Sequence, residues 1–128
     1  MDFIENTPLI AQIKKEIDTT GAMSFARFMA CALYTPGLGY YTAGTEKFGR
    51  TGDFITAPEI SPLFAQCIAL QAHEIFATLS SRCVLEFGAG SGAFACEFLK
   101  HAEVDTYYIL EVSADLRARQ EALLTQHH

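Results

Sequence analysis

Two short stretches of this 128-residue chain carry side chains of the kind that hold a ligand. In Cys83–Gly92, CVLEFGAGSG, an acid at Glu86 is followed by glycines on alternate positions, Gly88, Gly90 and Gly92. In Thr106–Val112, TYYILEV, a second acid, Glu111, follows an aromatic and β-branched run. Glycines with no Cβ let a turn take positive φ and let a ligand lie against bare backbone. A carboxylate inside an apolar run costs several kcal/mol of desolvation, about 2 or more, unless a partner compensates it. Glu86 is therefore expected to meet a cationic group of a ligand or, alternatively, nearby backbone N–H groups.

The elements that must position these residues follow from pattern. Val84, Leu85 and Phe87 are too short an apolar run for a helix and stop at a breaker, so they read as a buried parallel strand. Phe94, Ala95, Phe98 and Leu99 then repeat at helical spacing. Strand, glycine turn and helix make the first βα unit of a nucleotide-binding sheet, with the helix N-terminus aimed at the turn. Gly88, Gly90 and Ala93 fit the dinucleotide pattern G-x-G-x-x-G/A. Glu86, Gly88, Gly90 and Gly92 also fit the E-x-G-x-G-x-G pattern of S-adenosylmethionine methyltransferases. Glu86 separates the two, since a carboxylate repels a pyrophosphate and pairs with a methionine ammonium. Glu111, about twenty residues beyond Gly90 at the tip of the second strand, suits ribose hydroxyls in either class. Its alternative reading is an acidic charge beside the helix that starts at Ser113.

The rest of the chain frames this unit. Thr7-Pro8 predicts the start of a helix with Leu9, Ile10, Ile13 and Ile17 on its apolar face, ending by Gly21. Ser24 caps a second, with Phe25, Phe28, Met29, Ala32 and Leu33 on one side, stopping before Thr35-Pro36. Both faces read as packing surfaces. Residues 36–62 form a long glycine- and proline-rich segment carrying Tyr40, Tyr41, Phe48 and Phe54, read as an ordered active-site loop with a short hairpin. Asp53, Thr56 and Glu59 in it are available for chemistry or, equally, for capping turns. A third helix runs from Ser61-Pro62 to about Leu79 with Leu63, Phe64, Cys67, Ile68, Ile75 and Phe76 inward. A last helix spans Asp115 to Leu124, amphipathic through Leu116, Leu123 and Leu124. The domain organisation expected is 1–80 as N-terminal helices and loop, and 81–128 as the start of a Rossmann-like domain.

Composition narrows the function. Half the residues are hydrophobic, enough for a core, and the net charge is −6 with no basic block, which argues against nucleic acid. No run is long enough to span a bilayer, so no membrane partner is expected. Cys31, Cys67, Cys83 and Cys96 contain no C-x-x-C pair and read as buried thiols rather than disulfides or a zinc site. His73 lacks a second ligand four residues away, so no metal is expected. The opening MDFIENTP has no basic n-region and no Arg-rich presequence, from which a cytoplasmic location is expected.

These residues also carry a resemblance. Phe25-Ala-Arg-Phe-Met29, Leu33-Tyr-Thr-Pro36, Gly39-Tyr-Tyr41, Leu85-Glu-Phe-Gly-Ala-Gly-Ser-Gly92 and Ile109-Leu-Glu-Val-Ser113 resemble the MidA family. The most specific match is Gly52-Asp-Phe-Ile-Thr-Ala-Pro-Glu-Ile-Ser61. The resemblance implies an S-adenosylmethionine-dependent methyltransferase; mitochondrial members assist complex I assembly and methylate a protein arginine. It implies an α/β fold: an N-terminal helical extension plus the first βαβα unit of a class I, Rossmann-like methyltransferase, with an incomplete sheet. S-adenosyl-L-methionine is the cofactor implied, with Glu86, Gly88, Gly90, Gly92 and Glu111 binding it. Asp53 and Glu59 are the carboxylates expected to hold the acceptor guanidinium. The family domain continues past the helix after its second strand, where this sequence stops. The chain alone is thus expected to be inactive and to self-associate through its open sheet. Two other readings stay open: a dinucleotide-binding oxidoreductase fragment, and a non-catalytic interaction module.

Overall fold

A computed structural model describes residues 7–44 and 55–126. Contacts group the chain into two compact units, Met1–Thr45 and Glu46–His128. The first holds helices α1 (Thr7–Thr20) and α2 (Phe25–Tyr34). Gly21 ends α1 at φ 84°, its N–H reaching Ile17 O at 2.9 Å. Ser24 caps α2 as expected, accepting from Arg27 N–H at 3.2 Å. Arg27 grips Glu16 of α1 with two N–H groups, at 2.7 and 2.9 Å, and this draws the Glu16 carboxyl below its usual range. The two apolar faces close only in part. Leu9 and Cys31 are buried, whereas Ile10, Ile17, Phe25 and Phe28 stay exposed, because two short helices offer too little partner surface.

After α2 the chain folds back on the helix end, where Tyr40 and Tyr41 N–H groups satisfy the carbonyls of Ala32 and Leu33 at 2.8 and 2.9 Å. Gly39 permits this approach, since a Cβ there would sit 2.6 Å from the backbone nitrogens of Tyr34 and Thr35. Tyr41 stacks on Tyr34 at 5.7 Å between ring centres. In the described parts of 36–62 there is no hairpin. Instead Ala57–Ile60 makes a one-turn helix, α3, whose start is favoured by Pro58 in its first turn.

The second unit is organised around a parallel pair, β1 (Cys83–Phe87) and β2 (Thr106–Leu110), joined by α5 (Ala93–His101). Helix α4 (Leu63–Phe76) packs on α5, and α6 (Ala114–Thr125) follows β2. The set β1–α5–β2–α6 is an incomplete Rossmann-like unit. Its register pairs Cys83 with Thr106 and Phe87 with Leu110, so Val84, Glu86, Tyr107 and Ile109 share one face. That face meets a core of Ala65, Ala69, Phe98 and Ala102. The opposite face presents Leu85, Phe87, Tyr108 and Leu110, each more than half exposed.

Helix α4 departs from its expected orientation. Of the residues expected inward only Phe76 packs against the core; Ala65 and Ala69 form the buried seam, while Leu63, Phe64, Ile68, Leu70 and Ile75 are exposed and so is Cys67. The helix is apolar nearly all round, which removes the contrast that marks an inward side. The small residues won the contact because they let α5 approach closely. Among the described residues no helix is long and apolar enough to cross a membrane, and no cluster of His, Cys, Asp or Glu could hold a metal.

Candidate ligand-binding site

The glycine turn forms between the end of β1 and the start of α5. Gly88, Gly90 and Gly92 all take positive φ, at 64°, 57° and 87°. Only glycine adopts such angles without strain. Gly88 N–H donates to Leu110 O at 2.9 Å, carrying the ladder one residue past the strand and tying the turn to the tip of β2. A Cβ at Gly88 would meet nothing within 4 Å, so the backbone there is open to a ligand. Gly92 is buried, and a Cβ on it would lie 3.3 Å from Gln120 Cγ.

A cavity of about 190 Å³ opens above the turn, lined by Glu59, Glu86, Gly88, Gly90, Ser91 and Phe94 among others. Glu86 stands on the covered face of β1 and accepts the Tyr107 phenol proton at 2.8 Å. Burial pushes the Glu86 carboxyl above its usual range, and the phenol holds it back in part. Burial and the facing carboxylate together push the Tyr107 phenol up strongly. The partner of Glu86 is thus a neutral hydroxyl, neither a backbone amide nor a cation. From α3, Glu59 reaches the same cavity, its Oε1 accepting the Ser91 hydroxyl. Two carboxylates in one small cavity favour a cationic group and oppose a phosphate.

Glu111 lies just past β2 and off this cavity. Its Oε1 accepts Ser113 N–H at 2.9 Å, beside the start of α6. Its other oxygen faces Gln120 Nε2 at 3.4 Å, and the same amide donates to Gly90 O at 2.8 Å. Carboxylate oxygens each accept more than one hydrogen bond, so both keep capacity for a further donor. Asp53 lies outside the described residues. Tyr107, Ser91 and Gln120 are the members that sequence reading missed. Gln120 left a signal, being a polar residue one turn past Leu116 on the inward stripe of α6, where an amide needs a partner.

Comparison with known proteins now bears on the site. Residues 67–128 match the family model described as "Putative S-adenosyl-L-methionine-dependent methyltransferase". Human mitochondrial protein arginine methyltransferase NDUFAF7 is 30% identical over 133 residues, covering 94% of this chain and 30% of that protein. Its mitochondrial homolog in Drosophila melanogaster is 35% identical over 95 residues, covering 72% and 22%. A Burkholderia thailandensis protein solved with S-adenosyl-homocysteine bound aligns with TM-score 0.85 and 41% identity, covering 95% of this chain and 34% of that one. The chain belongs to the MidA family of S-adenosylmethionine-dependent methyltransferases.

The chain spans less than a third of the length of these two curated relatives. The family relatives from human, fly and zebrafish are mitochondrial by name, which overturns the cytoplasmic expectation. The first few residues of one sequence report on a leader peptide there and on nothing else about compartment.

The residues fit the cofactor that the family implies. The open backbone at Gly88 and the Glu86 carboxylate, whose charge meets only a neutral phenol, match a ligand that brings an ammonium to the turn. Glu111, with spare acceptor capacity at the end of the neighbouring strand, matches a sugar diol.

Proposed function

We propose that this chain is the N-terminal part of an S-adenosylmethionine-dependent methyltransferase acting on a protein arginine. Residues 81–128 open its Rossmann-like domain, and residues 1–80 hold the N-terminal helices and the glycine-rich segment from which Glu59 reaches the cavity. The observation that carries this reading is the convergence of Glu86, Glu59 and the positive-φ turn on one cavity. The bound S-adenosyl-homocysteine of the Burkholderia protein, aligned over 95% of this chain, supports the same assignment. The link to complex I assembly rests on the family resemblance alone.

S-adenosylmethionine would supply an electrophilic methyl group on a sulfonium. Glu86 would pair with the ammonium of its methionine portion, Gly88, Gly90 and Gly92 would leave room along the backbone, and Glu111 would accept from the ribose hydroxyls. An arginine acceptor is cationic and does not deprotonate in water near neutral pH. Glu59, together with Asp53, would hold its guanidinium and orient the nitrogen within about 3–3.5 Å of the methyl carbon. The Ser91 hydroxyl keeps the Glu59 carboxylate at the turn. This assigns the two described acids of the cavity separate roles.

The cavity, at about 190 Å³, is smaller than the ~300 Å³ at which ligand pockets begin, and one face of the sheet is bare. That favours a second reading for the chain by itself: a non-catalytic interaction module that keeps the fold without a working cofactor pocket.

Calorimetry of the chain with S-adenosyl-homocysteine and, separately, NAD tests the assignment. Heat of binding for the first and none for the second is expected; the reverse would identify a dinucleotide site. No heat with either leaves the module reading. In a methylating full-length enzyme, Glu59→Gln is expected to slow transfer at least tenfold with cofactor affinity unchanged. Loss of cofactor affinity instead would move Glu59 to the cofactor half of the site.

A further inference from the structure

Gln120 is nearly fully buried on α6, and its side chain touches two parts of the site that lie far apart in sequence, the glycine turn and Glu111. Its Nε2 donates to Gly90 O at 2.8 Å and faces Glu111 Oε2 at 3.4 Å. Its Cγ, Cβ and Cα pack against Gly92, which has no Cβ to obstruct them. Both polar contacts of the NH2 group are acceptors, so only one orientation of the amide satisfies them. With Ser113 N–H on Oε1 and Gln120 on Oε2, each oxygen of Glu111 is approached by one donor from the protein. The carboxylate plane is thereby fixed, and each oxygen keeps a lone pair for one hydroxyl of a vicinal diol. The Arg117 guanidinium, donating to Glu111 O at 2.9 Å and Val112 O at 3.2 Å, holds the backbone beneath.

We infer that Gln120 is a positioning residue for recognition of a ribose 2′,3′-diol, aligning Glu111 while it locks the Gly90 carbonyl of the turn. A residue of α6 thus sets how the first two strand tips face one ligand. The inference rests on the proposed role of Glu111 as the ribose acceptor.

The test uses the whole chain and two probes, S-adenosyl-homocysteine and its 2′,3′-dideoxy analogue, titrated calorimetrically into the parent and into Gln120→Met. Methionine matches glutamine in length and removes both N–H donors. The parent is expected to prefer the diol by about tenfold or more, as for hydrogen bonds to a charged acceptor. Gln120→Met is expected to reduce that preference to about twofold while affinity for the dideoxy analogue stays within about twofold of the parent. Equal loss for both probes, with the preference kept, would show that Gln120 serves packing alone and would overturn the inference. Parent binding of both probes with equal affinity would remove the ribose role of Glu111, and this inference with it, while leaving the cofactor assignment standing. Binding of neither probe by the parent would defeat the cofactor assignment for this chain and the inference together. Circular dichroism checks the fold of the variant. Should Gln120→Met unfold, Gln120→Asn, which keeps an amide but withdraws it by one methylene, is expected to show the same loss of preference.

Discussion

Glu86 combines partial burial, a neutral phenol partner and a place on the cavity wall, and these give it a pH signature with two opposite slopes. Its folded pKa is raised, so the free chain draws stability from it that is complete below the ordinary glutamate value and lost as pH rises through the raised value. An ammonium-bearing ligand needs the ionised form, so affinity should instead rise over the same window. We predict that S-adenosyl-homocysteine binding, followed by calorimetry from pH 4 to 8, weakens as pH falls through that window. In Glu86→Gln the dependence should vanish, with affinity at pH 7 reduced by about 10- to 100-fold. A flat profile in the parent would remove Glu86 from the ligand. Tyr107→Phe should move the midpoint upward, because the phenol is the group that holds the carboxyl down. The lowered pKa values of Glu97 and Asp105, which arise from hydrogen bonds to Gln66 and Arg82 foremost, act below the ordinary carboxylate range and leave this window clear.

At the scale of elements, the glycines of the turn share a backbone conformation and differ in what surrounds them. Gly88 faces open space, whereas Gly92 lies against Gln120. Alanine at either adds left-handed strain of about 1–2 kcal/mol. Gly92→Ala should lose more stability than Gly88→Ala in urea denaturation, because Gln120 must also give way. Gly88→Ala should lose more ligand affinity than stability, since its methyl group occupies the space in which the ligand lies. Equal effects of the two on both measurements would mean that no ligand approaches Gly88.

Elements whose signals are local were readable from sequence. The β1–turn–α5 unit, the Ser24 and Ser113 caps and the stop at Gly21 each depend on residues within a few positions. Features that depend on pairing were not. The Tyr107 donor to Glu86 follows from the strand register, and the Ser91–Glu59 bond from how α3 meets the turn. The inward seam of α4 was misread because apolar side chains surround it, and small alanines outcompeted larger neighbours for contact. On α6, an apolar stripe drawn through Leu116, Leu123 and Leu124 passes directly over Gln120.

For the molecule as a whole, the bare sheet face dominates. Leu85 opposes Tyr108 and Phe87 opposes Leu110, and all four are exposed on the side away from α4 and α5. Contiguous apolar surface of this kind marks an interaction site, and we propose that in the isolated chain it drives self-association. Sedimentation at micromolar concentrations should give a mass above the monomer. Leu85→Lys with Tyr108→Lys, neither of them in the candidate site, should return it to the monomer. A monomeric parent would refute the proposal.

The ladder is pinned at both ends. Arg82 and Asp105 exchange backbone and side-chain hydrogen bonds ahead of the first pair, and Gly88 bonds Leu110 beyond the last. Extra length between His101 and Asp105 could bulge outward and leave that alignment alone. One residue added between Asp105 and Tyr107 would turn the following strand over, carrying the Tyr107 hydroxyl to the bare surface and leaving Glu86 on the neighbouring strand without its donor. Evolutionary or engineered insertions in this region should therefore cluster in the connection and spare the strand.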